Sequence, residues 1–212
     1  MTDYKNLKLI ATSNPHIRSN DTTRSIMLDV IIAMLPALIW SVVEFGVRAI
    51  AVTLVSVAGS VFFEWLYRNI LKKPQSVGDL SAVVTGMLLA FVCPVTIPYW
   101  TIILGDFFAI VVVKMLFGGL GKNLVNPALA GRAFLFSWPV VMSSWVKVGF
   151  ENAAGIFSTA DIVTSATPLA AMHQGTMTSA SLWDLFLGNV GGSLGETSAL
   201  LLLIGFAYLL ML

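Results

Sequence analysis

Two apolar stretches, residues 25–44 and 49–71, follow one another with almost nothing polar between them. Each is about 20 residues long, which at about 1.5 Å per residue matches a hydrocarbon core about 30 Å thick. A chain that opens this way has few solutions. In lipid every backbone amide and carbonyl needs a partner within the protein, so both stretches are expected as membrane-spanning helices, with Pro36 a candidate kink in the first. The remainder keeps the same character, with 57% hydrophobic and 11% charged residues, where a soluble domain carries about a quarter charged. Lipid is the expected solvent. The residues before the first stretch are polar through Asn20, unlike the charged start and apolar core of a cleaved signal peptide, so the first stretch is expected to be retained.

The third segment, residues 80–93, reaches only about 21 Å as a helix before Pro94 breaks it. A short span has two readings. Either it is a broken helix whose freed backbone groups face protein, or it is a tilted helix with a loop dipping into the interface. A fourth span is expected over residues 100–117, followed by a loop holding Gly118, Gly119 and Gly121. Asn126-Pro127 then reads as a helix start, with Asn as cap and Pro in the first position, opening a fifth span to about Trp145. A polar island follows, and a glycine-rich turn over residues 191–195 opens a sixth span that runs to Leu212 without a polar flank. The expected organisation is an arm over 1–24, a five-span bundle over 25–146, a loop over 147–191 and a sixth span over 192–212.

Charge sets the orientation, because cytoplasmic loops of membrane proteins collect Lys and Arg. With the N-terminus in the cytoplasm, Lys5, Lys8, Arg18, Arg24, Arg68, Lys72, Lys73, Lys114, Lys122 and Arg132 fall inside, and only Arg48 and Lys147 fall outside. That asymmetry carries the polar island, and Thr167 with it, to the extracytoplasmic face. A net charge of +1 gives no reason to expect a nucleic acid. Cys93 alone makes no internal disulfide and no iron–sulfur cluster, and His16 and His173 have no metal spacing, so no metal site is expected.

Few groups remain for chemistry. Asp161 stands six residues before Thr167, with Thr164, Ser165 and Ala166 between, and Pro168 disfavours a helical Thr167. Two readings are open: a modification acceptor with small flanks that let another macromolecule approach, or an ordinary Thr-Pro loop cap. Asp106 and Glu64 are ionisable groups within apolar stretches, read either as an ion path or as buried structural pairs, and Asp29 and Glu44 lie nearer the ends of the first span. Asn123 and Asn126 offer amide donors and acceptors beside the glycine loop. Arg132 is expected as an inner-face anchor with its head at the interface, and Cys93 as a packed apolar residue.

The island resembles the flavin-attachment motif Asp-x-x-(Ser/Thr)-(Gly/Ser)-Ala-Thr, matched by Asp161, Thr164, Ser165, Ala166 and Thr167. The chain is similar to the family of the D subunits of the Rnf ion-translocating oxidoreductase and the B subunits of the sodium-pumping NADH:quinone reductase. Ser13-Asn14-Pro15-His16, Ile26-Met27-Leu28-Asp29-Val30, Ala33-Met34-Leu35-Pro36-Ala37, residues 118–134 and residues 188–197 extend the likeness over nearly the whole chain. Ser165 stands where many members have glycine, a small-for-small change. The resemblance implies an all-α integral membrane fold, the first half of a bundle of about ten helices built from inverted repeats, with a broken third span and an extracytoplasmic flavin loop. This chain ends in its sixth span, and truncation is the expected reason.

The resemblance also implies FMN held by a phosphoester to Thr167, with Asp161, Thr164, Ser165 and Ala166 as the address read by a flavin transferase. Asn123 and Asn126 acquire a second reading beside helix capping and loop bonding, as neighbours of a non-covalent riboflavin. The glycine-rich 188–197 segment is read either as a phosphate cradle for the same cofactor or as a re-entry loop. The implied function is an electron-relaying subunit of a bacterial or archaeal cytoplasmic-membrane complex that couples ferredoxin:NAD+ oxidoreduction to Na+ or H+ transport. Its partners would be further membrane subunits, a second FMN subunit, and iron–sulfur and NAD-binding subunits. A non-redox channel or transporter for a small solute is the alternative from another class. A quinone-reducing homologue is a third reading, against which the Ser-Asn-Pro-His start so close to the first span argues.

Overall fold

The computed structural model describes residues 21–146, 167–173, 175 and 180–212. All regular elements among them are helices. α1 (Thr23–Phe45) starts at Thr22, whose hydroxyl accepts from the Ser25 amide at 3.2 Å while Ser25 Oγ accepts from the Thr22 amide at 3.0 Å. This reciprocal cap satisfies two donors that a helix start otherwise leaves unpaired. α1 runs on through Pro36 and ends at Gly46, which takes φ 80°, donates its amide to Val42 O at 2.9 Å and turns the chain into α2 (Val47–Ile70). Both helices are long and apolar enough to cross a membrane. Their outward faces carry Ile39, Leu54, Phe62 and Ile70, all exposed, the arrangement expected where lipid covers the surface.

α3 (Ser81–Phe91) has 11 residues and reaches only about 16 Å. Nine of its residues are buried, so this short helix is the centre of the bundle. A helix enclosed on all sides suits a core position. Gly86 makes its approach to α2 possible: a Cβ there would stand 2.7 Å from Ser56 O and 2.8 Å from Val57 Cα. The short third segment is thus observed as a short helix followed by a turn through Pro94. α4 (Tyr99–Phe107) continues as a π-helical segment, Phe108–Met115.

The fifth apolar stretch departs from the expected single helix. α5 (Pro127–Leu135) ends after 9 residues, and a 4-residue α6 (Pro139–Met142) follows a break at 136–138. Pro139 is the physical cause. It lacks an amide hydrogen and pushes Trp138 out of helical geometry, to φ −115° and ψ 72°. At its other end α5 begins as the sequence indicates, with Asn126 Oδ1 accepting from the Ala128 amide at 3.0 Å and Pro127 in the first turn. α7 (Pro168–His173) and α8 (Leu182–Leu187) are short, and α9 (Ala199–Met211) packs along α1. Tyr208 donates to Asp29 Oδ1 at 3.3 Å, and Gly205 lies against the Ala33 backbone. The main core joins Phe45, Leu89, Ile97, Ile102, Leu135 and Leu194, so the segment before α9 belongs to the same interior as the first helices.

Candidate functional site

The end of α3 explains how a broken helix survives in an apolar interior. A helix terminus leaves carbonyls without intrahelical donors, and each costs free energy if it stays unpaired away from water. The re-entering chain supplies two donors, Leu194 N to Cys93 O and Gly195 N to Phe91 O, both at 3.0 Å. Arg48 supplies two more, from Nε to Val95 O at 2.9 Å and from Nη2 to Ile97 O at 3.2 Å, with its guanidinium 4.9 Å from the Tyr99 ring centroid. Arg48 is therefore a buried strut rather than a loop charge. The same contacts bear on the phosphate-cradle reading of 188–197: the Leu194 and Gly195 amides are committed to α3, which is the re-entry role.

Thr167 lies at the mouth of α7, where its Oγ1 accepts from the Ala170 amide at 3.2 Å and its carbonyl accepts from the Ala171 amide at 3.1 Å. The capping reading of the Thr-Pro pair is thus realised, and it leaves the half-buried residue lining a cleft of about 410 Å³. The walls are Trp145, Leu185, Gly191, Gly192 and Thr197, with Arg132 and Glu196 as the charged groups. Arg132 Nη1 is 3.5 Å from Glu196 Oε1, and the guanidinium is 5.6 Å from the Phe136 ring centroid. Glu196 Oε2 also accepts from Ser193 Oγ at 2.7 Å. Arg132, expected as an inner-face anchor, pairs with the re-entrant segment and shares the cleft with Thr167. Asp161, Thr164, Ser165 and Ala166 lie outside the described residues.

Asn126 is spent on its cap. Asn123, with its amide nitrogen facing carbonyls, donates to Lys114 O and Gly119 O, each at 3.2 Å, and ties the glycine loop to the π-helical segment. The structural role of each asparagine is accounted for.

Glu64 and Asp106 fall in one polar column. Ser56, Ser60 and Glu64 recur every four residues on α2 and so share a face. Lys114 Nζ donates to Glu64 Oε2 and to Ser81 Oγ, each at 2.6 Å; Ser76 Oγ donates to Glu64 Oε1; and Ser81 Oγ donates to Asp79 Oδ1 at 2.6 Å. Asp106 Oδ1 is hydrogen-bonded to Ser56 Oγ at 2.8 Å and to Ser60 Oγ at 2.9 Å. Glu64 is thus a member of a buried ion pair, whereas Asp106 is a carboxyl held by hydroxyls. The serines were missed as site residues, although their four-residue spacing from Glu64 is a sequence signal. Among the described residues no group of His, Cys, Asp and Glu is arranged to hold a metal ion.

Fold and site together define an all-helical membrane protein with a cleft at a re-entrant junction and a buried polar column. The chain belongs to the NQR2, RnfD, RnfE family, whose model matches residues 10–212. It is 48% identical over 208 residues to the D subunit of the Na(+)-translocating ferredoxin:NAD(+) oxidoreductase complex of Acetobacterium woodii, covering 96% of this chain and 63% of that protein. It is 37% identical over 220 residues to the proton-translocating counterpart of Clostridium ljungdahlii, covering 97% and 63%. The B subunit of the Na(+)-translocating NADH-quinone reductase of Chromohalobacter salexigens is 39% identical over 182 residues, covering 83% and 41%. The chain therefore spans less than two thirds of the length of these relatives.

Proposed function

We propose that the chain is a flavin-carrying membrane subunit of an ion-translocating ferredoxin:NAD+ oxidoreductase, with FMN joined by a phosphoester to Thr167. The observation that carries this reading is Thr167 on the wall of a cleft of about 410 Å³, within the 300–1,000 Å³ or so that cofactor sites occupy. The donor set suits the group. Arg132 brings a positive charge for a phosphate, Trp145 an aromatic wall, and Gly191 and Gly192 a stretch without side chains. When bound, FMN supplies electron transfer. This chain's own residues hold and orient it: Thr167 as the covalent anchor, Arg132 as its cation, and Glu196 fixing Arg132.

Membership of the NQR2, RnfD, RnfE family and the names of the relatives from Acetobacterium woodii and Clostridium ljungdahlii support the wider role. In that role the chain is the first half of an inverted-repeat bundle of about ten helices and works with other subunits of the complex, which bring ferredoxin and NAD+ to it. Its N-terminus lies in the cytoplasm and Thr167 on the far side, an orientation that the distribution of Lys and Arg favours even with Arg132, which shares the Thr167 cleft, moved from the inner side to the outer. Asp161, Thr164, Ser165 and Ala166 are the address for a flavin transferase. A riboflavin beside Asn123 and Asn126 belongs to the same reading.

In-gel fluorescence tests the attachment. The denatured protein, made in cells that possess the transferase, is expected to fluoresce under ultraviolet light, and Thr167→Ala to lose the signal. A dark wild-type band overturns the proposal.

A further inference from the structure

Asp106 is 0% exposed, and only one of its two oxygens has partners. Oδ1 is hydrogen-bonded to both serine oxygens, while Oδ2 is buried without a hydrogen bond. It is pressed against α2, where a Cβ on Gly59 would stand 2.9 Å from it. A carboxylate in that position would be an uncompensated charge in an apolar interior, which costs several kcal/mol or more. Among the described residues no cation of the protein is on hand to neutralise it. On α2 the ionisable neighbour is Glu64, itself an acid, and Lys114, eight residues along from Asp106, is committed to it at 2.6 Å. α3 has no ionisable residue, and on α5 Arg132 turns to Glu196. A metal ion needs several oxygens with room between them, whereas Oδ2 faces helix backbone. A proton needs no such space.

We propose that Asp106 is a proton-binding site, carrying its proton on Oδ1 toward Ser56 Oγ and exchanging it with the cytoplasmic side along the column of Ser60, Glu64 and Lys114. The column fits that use. From Asp79 through Ser81 and Lys114 to Glu64 each link is a hydrogen bond of 2.6 Å. Ser60, one turn of α2 from Glu64, then donates to Asp106 at 2.9 Å. Only that single helical turn, about 5–6 Å between side-chain origins, separates the two clusters. The route stops at Asp106: Ser56 gives its one hydroxyl hydrogen to the Gly86 carbonyl at 2.8 Å, which leaves Ser56 Oγ to accept from Asp106 Oδ1. The cytoplasmic direction rests on the orientation given under Proposed function.

Carbodiimide labelling tests the site. Dicyclohexylcarbodiimide enters membranes and adds to protonated carboxyl groups, and peptide mass spectrometry locates the adduct. The intact complex in sealed vesicles is labelled with the pH of the two compartments set independently, in KCl and in NaCl. Labelling of Asp106 is expected to fall about tenfold for each unit of cytoplasmic-side pH well above the titration midpoint, and to ignore the pH of the other side and the exchange of Na+ for K+. No adduct on Asp106 at any pH, protection by Na+, or dependence on the opposite compartment overturns the proposal. Flavin fluorescence of the same denatured sample reads the cofactor assignment separately, so a dark band with a labelled Asp106 counts against the flavin alone.

Discussion

At the scale of single residues, the described interior is organised by charged side chains that hold backbone or one another. Arg48 is the clearest. Its guanidinium serves carbonyls on a turn 47 and 49 residues away, and hydrogen bonds to a charged donor contribute about 1.5–3 kcal/mol each. Arg48→Leu is expected to lower the stability of the detergent-solubilised protein by about 3 kcal/mol, read as a shift in thermal unfolding, with Arg48→Lys restoring part of it. A loss below about 0.5 kcal/mol would show that water reaches those carbonyls. The Glu64–Lys114 pair behaves differently. Glu64→Gln strands a buried ammonium and is expected to cost about 3–5 kcal/mol, whereas Glu64→Leu with Lys114→Leu removes both charges and is expected to recover most of it. A double variant less stable than the single one would contradict the pair's description as a costly burial offset by mutual attraction.

At the scale of elements, close approach and chain breaks decide the fold. Gly86 lets α3 sit on α2, and Gly86→Ala would bring a methyl within 2.9 Å of Ser60 Oγ and closer still to backbone. The expected cost is about 1–3 kcal/mol from overpacking, measured by thermal unfolding alongside the retention of flavin fluorescence. The start of α8 carries a pH-dependent prediction. Ser181 and Asp184 cap it reciprocally, with Asp184 Oδ2 accepting from Ser181 Oγ at 2.7 Å and from the Ser181 amide at 3.0 Å. These hydrogen bonds, the hydroxyl's first, hold the half-buried Asp184 carboxyl below its ordinary range. A depressed folded value means the contribution is complete above the ordinary aspartate pKa and is lost as pH falls through the depressed one. Amide exchange in 182–187 is therefore expected to be faster in Asp184→Asn than in wild type near neutrality, with the difference vanishing in strong acid. A difference that persists there would remove the carboxylate from the cap.

Elements also show what the sequence discloses and what it withholds. The periodless apolar runs of α1 and α2, the short third helix and the Asn126 cap follow from local composition and local chemistry, which is why residues 25–44, 49–71 and 80–93 match α1, α2 and α3 closely. The break in the fifth stretch was also local: Pro139 was visible, but hydropathy alone read across it. The pairing of Arg132 is hidden for another reason. Its partner, Glu196, is 64 residues on and becomes a neighbour only because the 191–198 segment folds back onto α3. Composition and spacing cannot express a contact of that range. The donors for Phe91 O and Cys93 O are hidden in the same way, since a broken helix announces that it needs partners but not which residues will serve.

At the scale of the whole molecule, the junction of α3, α5 and the re-entrant chain brings three things within one interior: a satisfied helix break, a cleft with Thr167 and Arg132, and a polar column leading to Asp106. In the proposed function, a flavin and a proton are both held by polar groups inside this one apolar body. The flavin assignment stands on Thr167, and peptide mass spectrometry of the purified protein decides it. A peptide containing Thr167 is expected to be heavier by FMN less one water, with fragment ions assigning the whole increment to that threonine and an unmodified peptide from Thr167→Ala. An unmodified Thr167 in protein from cells that possess the transferase, or the increment on another residue, would contradict it.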